Sequence, residues 1–356
     1  MTNKFDYQIK AAKEVLKNAL DSNYIASVLA ACPSSGKTTI SHIIINEYLK
    51  IYPKAKVIVL TEGQNVLKDQ YLSELNKPNV KIDFSYGDFN SNKQVKIGLP
   101  QSIDRLTLNS IDLLVVDECH RYYLEKLDRS IVGRFKPKHQ VIMTGSPTKF
   151  NLHNTNKSLK PYGIYYISAK ELQNLGVFSG VDIDLIKIKN KSNPIDSLRE
   201  VMKRLEGNAD LSKLMVACPN VKFAREIALG LNEMGRGAIT LCTAIDDASN
   251  RQLGAFKDGL TNTLVVVNKG VLGFNDANIT CLVDMKASNN LDTSYQLFAR
   301  ILRVHPENKR KAYFRVVSGS WNREVEYLHK MTSLMETDIF RRFTGKNIKI
   351  IYENNT

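Results

Sequence analysis

Short, nearly unbroken apolar runs recur along the chain, separated by stretches with helical spacing. The first set is SVLAA (27–31), KVIVL (56–60), DLLVVD (112–117) and QVIMTG (140–145). The second is KLMVAC (213–218), GAITLC (237–242), NTLVVV (262–267), ITCLVDM (279–285) and KAYFRVV (311–317). Runs without a polar face are buried on both sides, as in parallel sheets covered by helices. Their alternation with helical stretches predicts an α/β fold with mainly parallel sheets. Two sets in series predict two sheets and two domains. The join is expected around 175–195, where LGVFSGVDIDLIKIKNKSNP brings glycines, lysines and Pro194. Past Val317, WNREVEYLHKMTSLMETDIFRRF has the apolar spacing of a helix packed on the second domain. The expected bounds are 1–178, 179–318 and a tail, 319–356.

Composition adds little to that picture until charge is considered. A length of 356 residues suits two domains of ordinary size, and 43% hydrophobic with 24% charged residues is globular. No run approaches the roughly 20 apolar residues of a membrane span, and the N-terminal stretch lacks the pattern of a secretory leader. The five cysteines are scattered without a CxxC pair, which fits a reducing, cytoplasmic setting. The formal net charge is +14, from 50 Lys+Arg against 36 Asp+Glu. Such an excess favours a polyanionic partner, through counterion release. A lysine-rich solvated surface would give the same total, so charge alone leaves both open.

Two segments carry chemistry. AACPSSGKTT (30–39) follows an apolar strand and precedes the helical run SHIIINEYLK, the strand–loop–helix setting of a phosphate-binding loop. Gly36 lets the backbone approach phosphates, and amides at the helix start point at the anion. Lys37 would neutralise the β- and γ-phosphates, and the Thr38 hydroxyl would ligate Mg²⁺. Ala31 stands where the first glycine of the pattern is usual. The second segment, DLLVVDECH (112–120), is an apolar strand ending in adjacent carboxylates. Asp117 would hold Mg²⁺ through water, and Glu118 would orient and polarise the attacking water.

With these segments in place, residues 5–317 resemble superfamily 2 helicases. The likeness is to the branch of type III restriction translocases, phage branch-migration helicases and XPB-like proteins. FDYQ (5–8) resembles the adenine-reading motif, implying that Phe5 and Gln8 meet the base. ACPSSGKTT resembles motif I, with Ser34, Ser35, Gly36, Lys37, Thr38 and Thr39 around the phosphates. VDECH resembles motif II, adding His120 to Asp117 and Glu118. VIVLTEGQNVLKDQ (57–70) and GLPQSI (98–103) resemble motifs Ia and Ib, implying strand contacts by Thr61, Gln64, Gln101 and Ser102. MTGSP (143–147) resembles motif III, with Thr144 and Ser146 coupling nucleotide to strand. KLMVACPNVKFAREIALGL (213–231) resembles motif IV, with Asn220 and Lys222 on the strand. VNKGVLGFNDANITCLVDMKASNNLDTSYQLFARILR (267–303) resembles motifs V and VI together. It implies a strand contact by Lys269, nucleotide contacts by Gly273 and Asn275, a coupling role for Gln296, and Arg300 and Arg303 as arginine fingers on a helix.

The family reading implies two tandem RecA-like domains with the ATP site in the cleft between them, and ATP with Mg²⁺ as cofactors. It implies an active ATPase that steps along nucleic acid as a monomer, DNA favoured over RNA, with no membrane partner. The departures are Ala299 before the first finger, Asn275 for an aspartate, and Ser34 and Ser35 in the loop. None removes a charge that hydrolysis needs. The alternatives are an RNA helicase of the DECH type and a nucleotide-gated annealing protein that does not unwind processively.

Overall fold

The structure, a computed structural model, describes residues 5–61, 82–100, 110–119, 135–145, 162–189, 193–241, 247–267, 276–307 and 309–336. The chain divides into two compact units, the second running from Leu172 to Met335. The division thus falls a few residues before the expected bound of 178.

The first unit holds a seven-stranded sheet. Its strands are β1 (Ser27–Ala31), β2 (Val57–Leu60), β3 (Phe84–Tyr86), β4 (Val95–Gly98), β5 (Leu113–Val116), β6 (His139–Thr144) and β7 (Gly163–Ile167). Their spatial order is β3-β4-β2-β5-β6-β1-β7, and the pairings are parallel. Thus β6 lies between β1 and β5, and the ends of all three come together at one edge of the sheet. Strands β1, β2, β4 and β5 are buried at every position, which for β1, β2 and β5 is what their unbroken apolar runs require. Val28, Ala30, Ile58, Leu60, Leu114, Val116 and Ile142 form one continuous core. Two helices of this unit, α1 (Asp6–Leu20) and α2 (Lys37–Ile51), pack on each other. Helix α1 buries Tyr7, Ala11, Ala12, Val15, Leu16 and Ala19, a stripe at helical spacing.

Helix α3 (Ala169–Asn174) spans the division. The second unit has a six-stranded sheet in the order β10-β11-β9-β12-β13-β8, also parallel. These strands are β8 (Val181–Lys187), β9 (Leu214–Cys218), β10 (Ala238–Leu241), β11 (Thr263–Val267), β12 (Cys281–Asp284) and β13 (Lys311–Val317). Its helices are α4 (Pro194–Leu205), α5 (Val221–Glu233), α6 (Asp247–Lys257), α7 (Leu291–Phe298) and α8 (Trp321–Glu336). Asn193, Asn220 and Asn290 cap α4, α5 and α7, each accepting from first-turn amides, as N-cap residues do. Gly230 lets α5 approach α4, since a β-carbon there would stand 2.8 Å from a Leu198 methyl. Helix α8 meets this unit through Glu324 and Tyr327. The stretch expected to be the join, from its glycines, lysines and Pro194, contains the edge strand β8.

Candidate functional site

The loop after β1 turns through Ser34 (φ 66°) and Gly36 (φ 80°) before α2 begins at Lys37. Left-handed backbone is unstrained for glycine but not for serine. Gly36 is the N-cap and supplies no side-chain cap, so the first amides of α2 remain available to an anion. The loop is held from behind by α1: the Tyr7 hydroxyl donates to the Ser35 carbonyl at 2.7 Å. It accepts in turn from Gln8 Nε2 at 3.3 Å. A β-carbon on Gly36 would stand 2.4 Å from that Gln8 nitrogen and would displace the Gln8 amide, while the left-handed φ itself favours glycine there.

Asp117 and Glu118 follow β5 directly. The Asp117 amide donates to Leu60 O at 2.8 Å, and its Oδ1 accepts from the Glu118 amide at 2.9 Å. Glu118 is itself left-handed, φ 49°, a conformation that costs a non-glycine residue about 1–2 kcal/mol. Lys37 Nζ lies 3.8 Å from Glu118 Oε1, the two side chains 10% and 22% exposed. Burial, then the Glu118 charge, pushes the Asp117 carboxyl up to about 6, while Lys37 and the Glu118 amide pull it down. Gly145, just past β6, completes the enclosure: a β-carbon there would stand 2.8 Å from Lys37 Nζ. Thr144 is buried at the end of β6, and its side chain hydrogen-bonds the Cys119 thiol. Burial and the neighbouring carboxylates raise that thiol well above its usual range.

Lys37, Thr38, Asp117 and Glu118 therefore gather at one edge of the first sheet with the Gly36 loop. A loop cation at the start of a helix, with Gly145 leaving room for its ammonium, suits a polyphosphate. Among the described residues no cluster of three or more His, Cys, Asp or Glu side chains could hold a metal ion.

Arg300 and Arg303 lie in the second unit. Helix α7 ends at Phe298, with Ala299 as its C-cap, so the arginines occupy the turn beyond the helix rather than the helix expected for them. Arg303 forms an antiparallel bridge with Phe178. On either side of it, Leu302 O accepts from the Ser179 amide at 2.8 Å and the Val304 amide donates to Val177 O. Gln296 is buried in α7.

The remaining expected contacts fall as follows. Phe5 is exposed at the start of α1. Thr61 is only 4% exposed, and among the described residues its hydroxyl has no hydrogen-bond partner. The Asn220 side-chain oxygen is committed to capping α5, with Lys222 exposed in the first turn. Gln64, Gln101, Ser102, His120, Ser146, Lys269, Gly273 and Asn275 lie outside the described residues. Sequence reasoning missed the Tyr7 brace and the clearance at Gly145. The position of Tyr7 in the apolar stripe of α1 was the available signal for the first.

The family model described as "Type III restriction enzyme, res subunit" matches residues 2–149. No curated protein matches the chain. Among solved structures, a fragment of an HsdR subunit of a type I restriction enzyme from Vibrio vulnificus YJ016 is similar, with TM-score 0.69 and 16% identity. The match covers 89% of this chain and 64% of that fragment. S. cerevisiae Dbp5, bound to RNA and ADP BeF3, matches with TM-score 0.62 and 14% identity, over 97% of this chain and 92% of that one. The ATP-dependent type ISP restriction-modification enzyme LlaBIII, bound to DNA, matches with TM-score 0.67 and 12% identity. There the match covers 93% of this chain and 30% of the enzyme. The chain has a superfamily 2 helicase-like fold, and the restriction-subunit likeness falls on the unit that carries Lys37, Asp117 and Glu118.

Proposed function

We propose that this chain is a nucleic-acid-stimulated ATPase that couples hydrolysis to movement along, or remodelling of, DNA. The observation that carries this reading is the Lys37–Glu118 pair, at the start of α2 and just past β5, with Gly145 leaving room for the Lys37 ammonium. In this reading Lys37 and the first amides of α2 bind the phosphates. Thr38 and, through water, Asp117 hold Mg²⁺, which when bound neutralises charge on the phosphate oxygens. Glu118 is released from Lys37 once phosphate takes the ammonium, and it then orients the attacking water and accepts its proton. Arg300 and Arg303 are assigned to the charge on the transferred phosphate in the hydrolytic state.

Nucleic acid is supported as the partner by the +14 charge and by the DNA and RNA bound to the similar structures. DNA is favoured because the family likeness lies with restriction enzymes. Hydrolysis measured with single-stranded DNA, duplex, forked DNA and RNA tests the reading. DNA should stimulate most, and its affinity should fall with salt at a log–log slope of about −0.7 per phosphate on single strands. Hydrolysis indifferent to every nucleic acid would overturn it; preferential stimulation by RNA would move the substrate to RNA.

A further inference from the structure

Arg315, in the middle of β13, is 0% exposed, yet its guanidinium is engaged on every side. Nε donates to Glu324 of α8 at 3.0 Å. Nη1 reaches Asp284 Oδ2 and Ser294 Oγ, each at 3.4 Å, and Nη2 donates to Ser288 O at 3.1 Å. The Tyr327 ring of α8 lies over it at 4.2 Å, and the Tyr327 hydroxyl donates to the same Ser294 Oγ at 3.0 Å. Asp284 also accepts from the Tyr313 hydroxyl at 2.9 Å and from the amide of Ala287 at 2.9 Å. Ala287 is left-handed, φ 42°.

These partners share a destination. Asp284 ends β12, Ala287 and Ser288 lie in the loop that leads into α7, Ser294 lies within α7, and α7 ends at the turn carrying Arg300 and Arg303. Buried ion pairs contribute little net stability, and apolar replacements of similar volume are often as good. What a fully connected polar cluster does provide is one defined arrangement of the elements it joins. We propose that Arg315, Glu324, Tyr327 and Ser294 are positioning residues: they brace α7 against α8 and so fix the arginine turn for hydrolysis. This rests on the assignment of Arg300 and Arg303 given above.

The test uses the full chain with Glu324→Gln and Tyr327→Phe combined, changes that keep the shape of both side chains. The kcat and KM for ATP with saturating oligo(dT), the affinity for a fluorescent ATP analogue and the thermal midpoint are measured for four proteins. These are the wild type, the double variant, Arg300→Ala Arg303→Ala, and the two pairs together. The double variant should lose roughly fivefold or more in kcat with nucleotide affinity within about twofold of wild type, and should add no further loss in the arginine-less background, as residues acting through one another do. Wild-type kcat in the double variant, beside a crippled arginine variant, would overturn the brace alone. The same fold loss with and without the arginines would also overturn it. Wild-type kcat in Arg300→Ala Arg303→Ala would overturn the arginine assignment and the brace with it.

Discussion

The Lys37 ammonium lies 2.8 Å from where a β-carbon on Gly145 would stand. The lysine assigned to the phosphates therefore has its room from a glycine past a different strand. Gly145→Ala should fold normally, because Nζ is the far end of a flexible side chain and can move away. The displaced ammonium should lower ATP turnover by as much as about 10²-fold, the scale of an ångström-sized misplacement. Thermal midpoint and ATPase assays on the same preparation check both halves. Unchanged turnover would show that the clearance is irrelevant to phosphate binding.

Lys37 and Glu118 separate binding from chemistry. Lys37→Ala should abolish hydrolysis through loss of the loop cation. Glu118→Gln should retain ATP binding while turnover falls about 10²–10⁴-fold, the contribution of a positioned general base. Equilibrium binding with single-turnover hydrolysis distinguishes the two; normal hydrolysis in either variant would remove the site.

Arg300 and Arg303 should behave as transition-state residues. Alanine at either position should reduce kcat steeply, by up to about 10³–10⁵-fold for arginine fingers, with much smaller changes in ATP affinity. A collapse of affinity with normal kcat at saturation would make them ground-state ligands instead.

Lys311 opens β13 with no exposure, its ammonium donating to Ala277 O at 2.7 Å. Burial lowers it from 10.5 to about 8, with Arg303 also lowering it and Asp276 opposing. The unfolded chain holds this proton more tightly, so the stability present above pH 10.5 is lost as pH falls through about 8. The thermal midpoint of wild type relative to Lys311→Met should therefore rise between pH 8 and pH 10. A difference that stays flat over that range would contradict the shift.

Much of this architecture was legible in the sequence, because buried parallel strands write themselves as apolar runs. SVLAA and KAYFRVV are β1 and β13 residue for residue. Some strands at or near the sheet edges were not. Strand β3 is three half-buried residues, FSY, and β8 alternates aspartates along an open edge, so neither shows an apolar run. Strand β4 contains Lys96, whose buried ammonium is satisfied by Phe89 O at 2.7 Å, a partner that no local pattern reveals. At the candidate site, GKT and DEC were readable because each follows an apolar strand, GKT also opening a helical run. The Tyr7–Ser35 bond and the Gly145 clearance join residues far apart in the chain, and only the sheet order brings them together.

That order also determines when the loop can exist during synthesis. Strand β1 pairs with β6 and β7, Ser27 facing Val141 on one side and Gly163 on the other. At about 5–20 residues per second, a ribosome exposes SVLAA for several seconds or more before either partner emerges. Throughout that interval an apolar strand has both edges open, the condition that invites wrong pairing between chains. A nascent or truncated product ending before Gly163 would thus lack a wall for its phosphate loop and would need a chaperone to remain soluble.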